Sequence, residues 1–182
     1  MNRFSSVSHL DSWKRTGAFP EIHLPLCTFV AENASGVRML DLCACYGLLG
    51  ARLKRLIGVD VWAVEGNPSF IAAAQAAGVP VAMIQLRITR DTLPQLADII
   101  TGNRIQTVVA RRALPELWGN DLEGGMVFAE MLRNCGVEEV FIEGRVKTPG
   151  AVNSLPTVAE EIKLLSPSFT PRVKRGALAM LA

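Results

Sequence analysis

The chain has 182 residues, 49% hydrophobic and 20% charged, which suits one folded domain with a sizeable core and argues against disorder. A net charge of +2 is too small to mark a nucleic-acid binder, no apolar run reaches the ~18 residues that cross a bilayer, and four cysteines are too few for a disulfide scaffold. The opening "MNRFSSVSHLDSWKRTG" lacks an apolar signal core, so a reducing cytoplasmic setting with no membrane partner is expected.

Residues 1–36 read as an N-terminal helical arm, with short helices in "SHLDSWKR" and "LPLCTFVAENASG" and Pro25 near the start of the second. Trp13, Phe19 and His23 cluster there, which suits either a packing arm or a lid over a ligand site. From residue 37 onward, short apolar strands alternate with helical stretches, the pattern of parallel βαβ units. "VRMLDLC" (37–43) is the first strand and "GLLGARLKRL" its helix, with Leu49, Leu53 and Leu56 on the apolar face and Arg52, Lys54 and Arg55 pointing away. "GVDVWAVE" (58–65) is the second strand. Asn67 then caps a helix with Pro68 at its first position and Gly78 at its end.

"VPVAMIQL" (79–86) is the third strand, and "RDTLPQLADIITG" holds a helix with Pro94 in its first turn, where a missing N–H costs little. "RIQTVVAR" (104–111) is the fourth strand, followed by a short irregular piece and a helix capped by Asn120 or Asp121 and closed by Gly136. "VEEVFIEG" (137–144) is the fifth strand and "LPTVAEEIKLLS" a further helix. The tail "SPSFTPRVKRGALAMLA" has two short strands around "KRG" and no room for a crossover helix, so they should pair antiparallel. The expected fold is a Rossmann-like three-layer α/β sandwich. Its sheet is seven-stranded and mostly parallel, with an antiparallel C-terminal strand.

In such sheets ligands bind at the carboxyl ends of the strands near the first one, where the loop 43–47 falls. Helix N–H groups follow that loop, and Glu65 ends the second strand, placed to accept from both hydroxyls of a ribose. The pair Cys43 and Cys45 lacks the partners of a tetrahedral zinc site and has C-x-C rather than C-x-x-C redox spacing. Small loop residues standing where glycine is common is the reading retained, with no metal. A nicotinamide fingerprint G-x-G-x-x-G is absent, since its positions hold Cys43, Cys45 and Leu48.

"VRMLDLCACYGLLG" followed by "VWAVEGN" resembles motifs I and II of the class I S-adenosylmethionine-dependent methyltransferases, over about residues 37–182. Asp41 matches the leading acid of D-x-G-x-G-x-G, Gly47 the last glycine and Glu65 the ribose acid, while Cys43 and Cys45 replace two glycines. The terminal hairpin agrees with that family's reversed last strand. The resemblance implies a cofactor, S-adenosyl-L-methionine, held by Asp41, Cys43, Ala44, Cys45, Gly47, Glu65, Gly66, Asn67, Leu86 and Arg87. It implies methyl transfer to an acceptor met by Trp13, Arg111 and Arg112, with His23, Glu116 and Glu143 as candidate bases.

Basic residues at the strand ends (Arg87, Arg90, Arg111, Arg112, Arg145, Lys147) read either as solvated loop charges or, grouped on one edge, as a rim for an anionic acceptor, a nucleic acid or a small molecule. The family's amino-methylating tetrapeptide [DNS]-P-P-[YFW] is replaced by "ARRALPEL", and neither a Pro-Cys nucleophile nor an Asp cluster is present. In-line transfer driven by positioning is what these absences leave. The alternative is a non-catalytic adenosyl-ligand or protein-binding module on the same fold, its glycine loop altered.

Overall fold

The computed structural model describes residues 3–119, 121–145 and 157–182, with the side chains of 3–8 and of residue 116 outside the description. Lys147 and Asn120 also lie outside the described residues. Two helices, α1 (Arg3–Thr16) and α2 (Leu24–Asn33), precede β1 (Arg38–Leu42), α3 (Leu48–Ile57), β2 (Asp60–Glu65), α4 (Pro68–Ala76) and β3 (Ala82–Gln85). Then come α5 (Leu93–Gly102), β4 (Thr107–Arg111), α6 (Leu114–Trp118), α7 (Leu122–Asn134), β5 (Glu139–Glu143), α8 (Val158–Leu165), β6 (Pro171–Arg175) and β7 (Leu178–Leu181).

The sheet has seven strands in the order β3-β2-β1-β4-β5-β7-β6. β1 to β5 pair parallel, and β7 runs antiparallel between β5 and β6, as a tail too short for a crossover requires. Alternation along the strands divides the core. Leu40, Leu42, Val108, Ala110 and Ile142 face α5, α7 and α8, while Met39, Val61, Val109 and Phe141 face α2 and α3. The arm's second helix belongs to that layer, since Leu26 and Val30 are fully buried and Phe29 meets Phe141 edge-on at 5.9 Å.

The expected caps are present. Asn67 accepts from Ser69 N–H and Asp121 from Gly124 N–H, and Pro94 occupies the first turn of α5. Strand limits are shorter than the apolar runs, with the third strand reduced from 79–86 to Ala82–Gln85.

Two expectations are corrected. Leu56 is exposed, and Arg52 does not point away, because its Nη1 donates to Pro20 O at 2.8 Å. Helix α3 is covered on two sides, by the sheet at Leu49 and Leu53 and by the arm at Leu48 and Ala51, so a single apolar stripe does not describe it. The piece read as irregular after the fourth strand contains α6, a single turn whose Leu114 and Trp118 are buried.

Candidate functional site

The order β3-β2-β1-β4 places the reversal of strand order between β1 and β4, and the loop after β1 opens there. That loop is held from three directions. Ala44 N–H donates to Val64 O at 3.0 Å, and Gly47 N–H to Ala44 O at 2.8 Å. Glu65 Oε2 accepts from Cys45 N–H at 2.8 Å while its Oε1 accepts from Asn67 N–H at 2.8 Å. One carboxylate thus joins the first loop to the second.

Cys43 and Cys45 both have left-handed backbones, with φ of 53° and 51°. For an L-residue this conformation brings Cβ against the carbonyl oxygen, so the two cysteines stand where glycine is conformationally favoured. The bonds from Ala44 and to Glu65 hold the loop in this shape. Gly47, with φ of 67°, is required on a second count, since a Cβ there would stand 2.6 Å from Val81 Cγ1. Tyr46 completes the loop as an interior anchor, buried and packed on Phe70 at 4.9 Å.

Asp41 sits deeper, 1% exposed, where its Oδ2 accepts from Gly50 N–H at 2.9 Å. It satisfies one of the N–H groups that the first turn of α3 leaves open. Burial pushes its pKa up to about 7 against that hydrogen bond, and Glu65 adds to the rise. Gly66 lies beneath Arg87, whose Cα would be 3.2 Å from an added Cβ, and Leu86 N–H donates to Glu65 O. The sequence-derived cofactor residues from 41 to 47, 65 to 67 and 86 to 87 therefore meet at one edge.

The acceptor residues divide. Arg111 pairs in register with Glu143 across β4 and β5, and its Nε donates to Glu143 Oε2 at 3.2 Å. Arg112, left-handed at φ 54°, brings Nη2 to 3.4 Å from Glu143 Oε1. Glu143 is buried beneath both and is committed to them. One nitrogen of each arginine, Arg111 Nη2 and Arg112 Nε, is buried without a hydrogen-bond partner.

His23 packs nearby, 6.3 Å edge-on from His9, and its Nδ1 is also buried without a partner. Burial, then Arg111, His9 and Arg52, lowers its pKa to about 3, so the ring is neutral near pH 7. Trp13 is elsewhere. Its indole N–H donates to Ala77 O at the far end of α4, the edge of the sheet away from the strand carboxyl ends. Arg90 is spent on Asp121 and Glu123, and the Glu116 side chain lies outside the described residues.

No family model matches the sequence, and no curated protein matches it. Solved structures do match the whole architecture. A SAM-dependent methyltransferase from Aquifex aeolicus aligns over 95% of this chain and 98% of its own, at TM-score 0.63 and 15% identity. The fold is that of the class I S-adenosylmethionine-dependent methyltransferases. A TehB-like SAM-dependent methyltransferase from Corynebacterium glutamicum aligns over 98% and 96%, at TM-score 0.63 and 12% identity. The tRNA (uracil-54, C5)-methyltransferase of Pyrococcus abyssi, solved with S-adenosyl-L-homocysteine, aligns over 88% of this chain and 38% of its own, at TM-score 0.53 and 15% identity.

Reading the sequence missed Glu161. It occupies an apolar-face position of α8, three residues after buried Val158 and four before buried Leu165, and that spacing was the available signal.

Proposed function

We propose that the protein is an S-adenosylmethionine-dependent methyltransferase with an anionic acceptor. Glu65 carries the cofactor reading. Each of its oxygens accepts one backbone N–H, which fixes the carboxylate and leaves a lone pair on each for the two ribose hydroxyls. Asn67, Gly66 and Leu86 border the same edge, and Asp41 positions α3 from below. The cofactor, when bound, supplies a methyl group on a sulfonium. The chain's own part is then to hold the acceptor in line, since positioning alone can supply several kcal/mol of the barrier reduction.

The acceptor reading rests on Arg111 and Arg112, which each keep an unspent N–H although Glu143 offsets part of their charge. Guanidinium groups suit a carboxylate or phosphate, and the Arg112 side chain is 40% exposed at this edge. His23, neutral beside them, is a hydrogen-bonding partner rather than a third cation. The runner-up, a non-catalytic adenosyl-ligand module, draws support from the Cβ atoms that Cys43 and Cys45 bring into a loop of glycine geometry.

Calorimetric titration with S-adenosylmethionine and S-adenosylhomocysteine, followed by transfer of labelled methyl to a panel of RNA and small carboxylated or phosphorylated compounds, tests both. Saturable binding with transfer supports the enzyme, binding without transfer supports the module, and no binding removes the site. The double change Arg111→Gln/Arg112→Gln should abolish transfer to the anionic acceptor and leave cofactor affinity within threefold.

A further inference from the structure

Helix α1 runs from the carboxyl edge of the sheet toward the opposite edge, where the Trp13 indole N–H donates to Ala77 O at 3.1 Å. One turn before Trp13, residues 9–11 join the two flanks of the candidate site. Leu10 is buried in one apolar cluster with Tyr46 of the cofactor loop, and Asp11 acts on Tyr46 electrostatically. His9 belongs to the other flank. Arg111, at the end of β4, lies close enough to act on its ring, and the His23 ring meets it edge-on at 6.3 Å. The loop after β1 and the end of β4 border the switch point, the crevice where open α/β sheets bind their ligands. His9 is half-buried there, so part of the residue stays open to solvent.

The other groups at this crevice are poor proton acceptors. Asp41 and Glu65 accept backbone N–H groups, and Glu143 is buried beneath Arg111 and Arg112. His23, in the turn before α2, has its pKa lowered to about 3 and holds a proton too weakly to take one from an acceptor. Burial, then Arg111, lowers the His9 pKa from 6.5 as well, so that ring is neutral near pH 7. The charges around it are positive, Arg111 from β4 and, acting on His23, Arg52 from α3, with Glu143 from β5 offsetting part of Arg111. Such surroundings disfavour an ammonium acceptor and ease the loss of a proton from a hydroxyl. We propose that His9 is the general base of the transfer and that the accepting atom is a hydroxyl oxygen of the anionic acceptor, an inference that rests on the methyltransferase reading above. The neutral His9 ring takes the hydroxyl proton while an oxygen lone pair bonds the methyl carbon and the carbon–sulfur pair returns to sulfur. Charge balances, since one imidazolium replaces one sulfonium, and His9 then gives its proton to water.

The test measures transfer of labelled methyl by the full chain from pH 4.5 to pH 9. Its probes are 3- and 4-hydroxybenzoate against the matching aminobenzoates, and an oligouridylate against its deoxy counterpart. At least one hydroxylated probe is methylated, and the amino and deoxy probes are not. The wild-type kcat falls on the acid side along one ionisation, with a midpoint below 6.5. His9→Gln lowers kcat by about a hundredfold, removes that acid limb, and leaves KM and S-adenosylmethionine affinity within threefold. A second measurement needs no variant. The chain has two histidines, and His23 stays neutral over this range, so the histidine proton resonance that titrates reports His9. Its midpoint should match that of kcat, and it decides the matter should His9→Gln fail to fold. No transfer to a hydroxylated probe, transfer to the amino probes, an acid limb that survives in His9→Gln, or unequal midpoints would overturn the proposal. Calorimetric binding of S-adenosylmethionine separates the failures, because binding alongside any of those results removes the role of His9 alone, whereas no binding removes the methyltransferase reading with it.

Discussion

The two halves of the sheet's carboxyl edge differ in how their buried polar groups are spent. At β1 and β2, Asp41, Glu65 and Asn67 each accept backbone N–H groups, Glu65 holding the strained loop and the other two the first turns of α3 and α4. At β4, β5 and the segments around them, Arg111 Nη2, Arg112 Nε, Arg145 Nε, His23 Nδ1 and both oxygens of Glu161 are buried and unpartnered. The first half is built to hold a fixed form before anything binds. The second keeps open hydrogen-bonding capacity, which is costly in a folded chain and is what a ligand would relieve. A cofactor common to a whole fold class suits the first, and an acceptor or ligand particular to one protein suits the second.

Removing Glu65 should break this comparison most severely. Glu65→Ala leaves the N–H groups of Cys45 and Asn67 without their acceptor, and hydrogen bonds to a charged group are worth about 1.5–3 kcal/mol each. Folding stability should fall by about 3 kcal/mol, and S-adenosylmethionine affinity by more than tenfold, read by denaturant melts and calorimetry. Glu65→Gln, which keeps one acceptor oxygen, should fall between. Full stability in Glu65→Ala would mean that the loop is not held by this carboxylate.

The open half should reveal itself through pH. The folded-state pKa of Glu161 is raised from 4.5 to about 8, so the folded chain favours its protonated form. Its contribution is therefore fully present below about 4.5 and is lost as pH rises toward 8. Asp41, raised from 3.8 to about 7, acts in the same sense. His23, lowered from 6.5 to about 3, acts oppositely and costs stability as pH falls below 6.5. Glu161→Gln removes one titration, so the variant should gain on the wild type by about 2 kcal/mol between pH 5 and pH 9. Parallel stability curves would show that Glu161 finds a partner in solution.

Legibility in the sequence follows the same division. The strand and helix order, the caps at Asn67 and Asp121 and the C-terminal hairpin were readable because each has a local cause in spacing, a capping side chain or a tail length. The edge formed by residues 41 to 47, 65 to 67 and 86 to 87 was readable because its parts lie at fixed points of βαβ units. Contacts between distant segments left no such mark. Nothing local says that Arg52 reaches Pro20, that Trp13 is drawn to Ala77 at the opposite edge, or that Glu143 is committed to two arginines. Helix α6 was hidden by its length, too short to display a period.

The smallest expected effect is the sharpest test of what the loop cysteines do. Holding an L-residue in the left-handed region costs about 1–2 kcal/mol, and glycine escapes that cost while losing about 0.5–1 kcal/mol more backbone freedom on folding. At Cys43 and Cys45 the first cost is larger, so Cys43→Gly/Cys45→Gly should stabilise the chain by about 1 kcal/mol. The gain is held to that level because Cys43 also packs against the main core cluster, and its side-chain contact is lost. Cofactor affinity should stay equal or tighten, since the bonds from Ala44 N–H and to Glu65 need no cysteine side chain. Loss of stability in the double variant, or loss of a stoichiometric zinc ion on elemental analysis, would give the thiols a role of their own. A gain in stability with unchanged cofactor affinity would leave the cysteines as strained stand-ins for glycine.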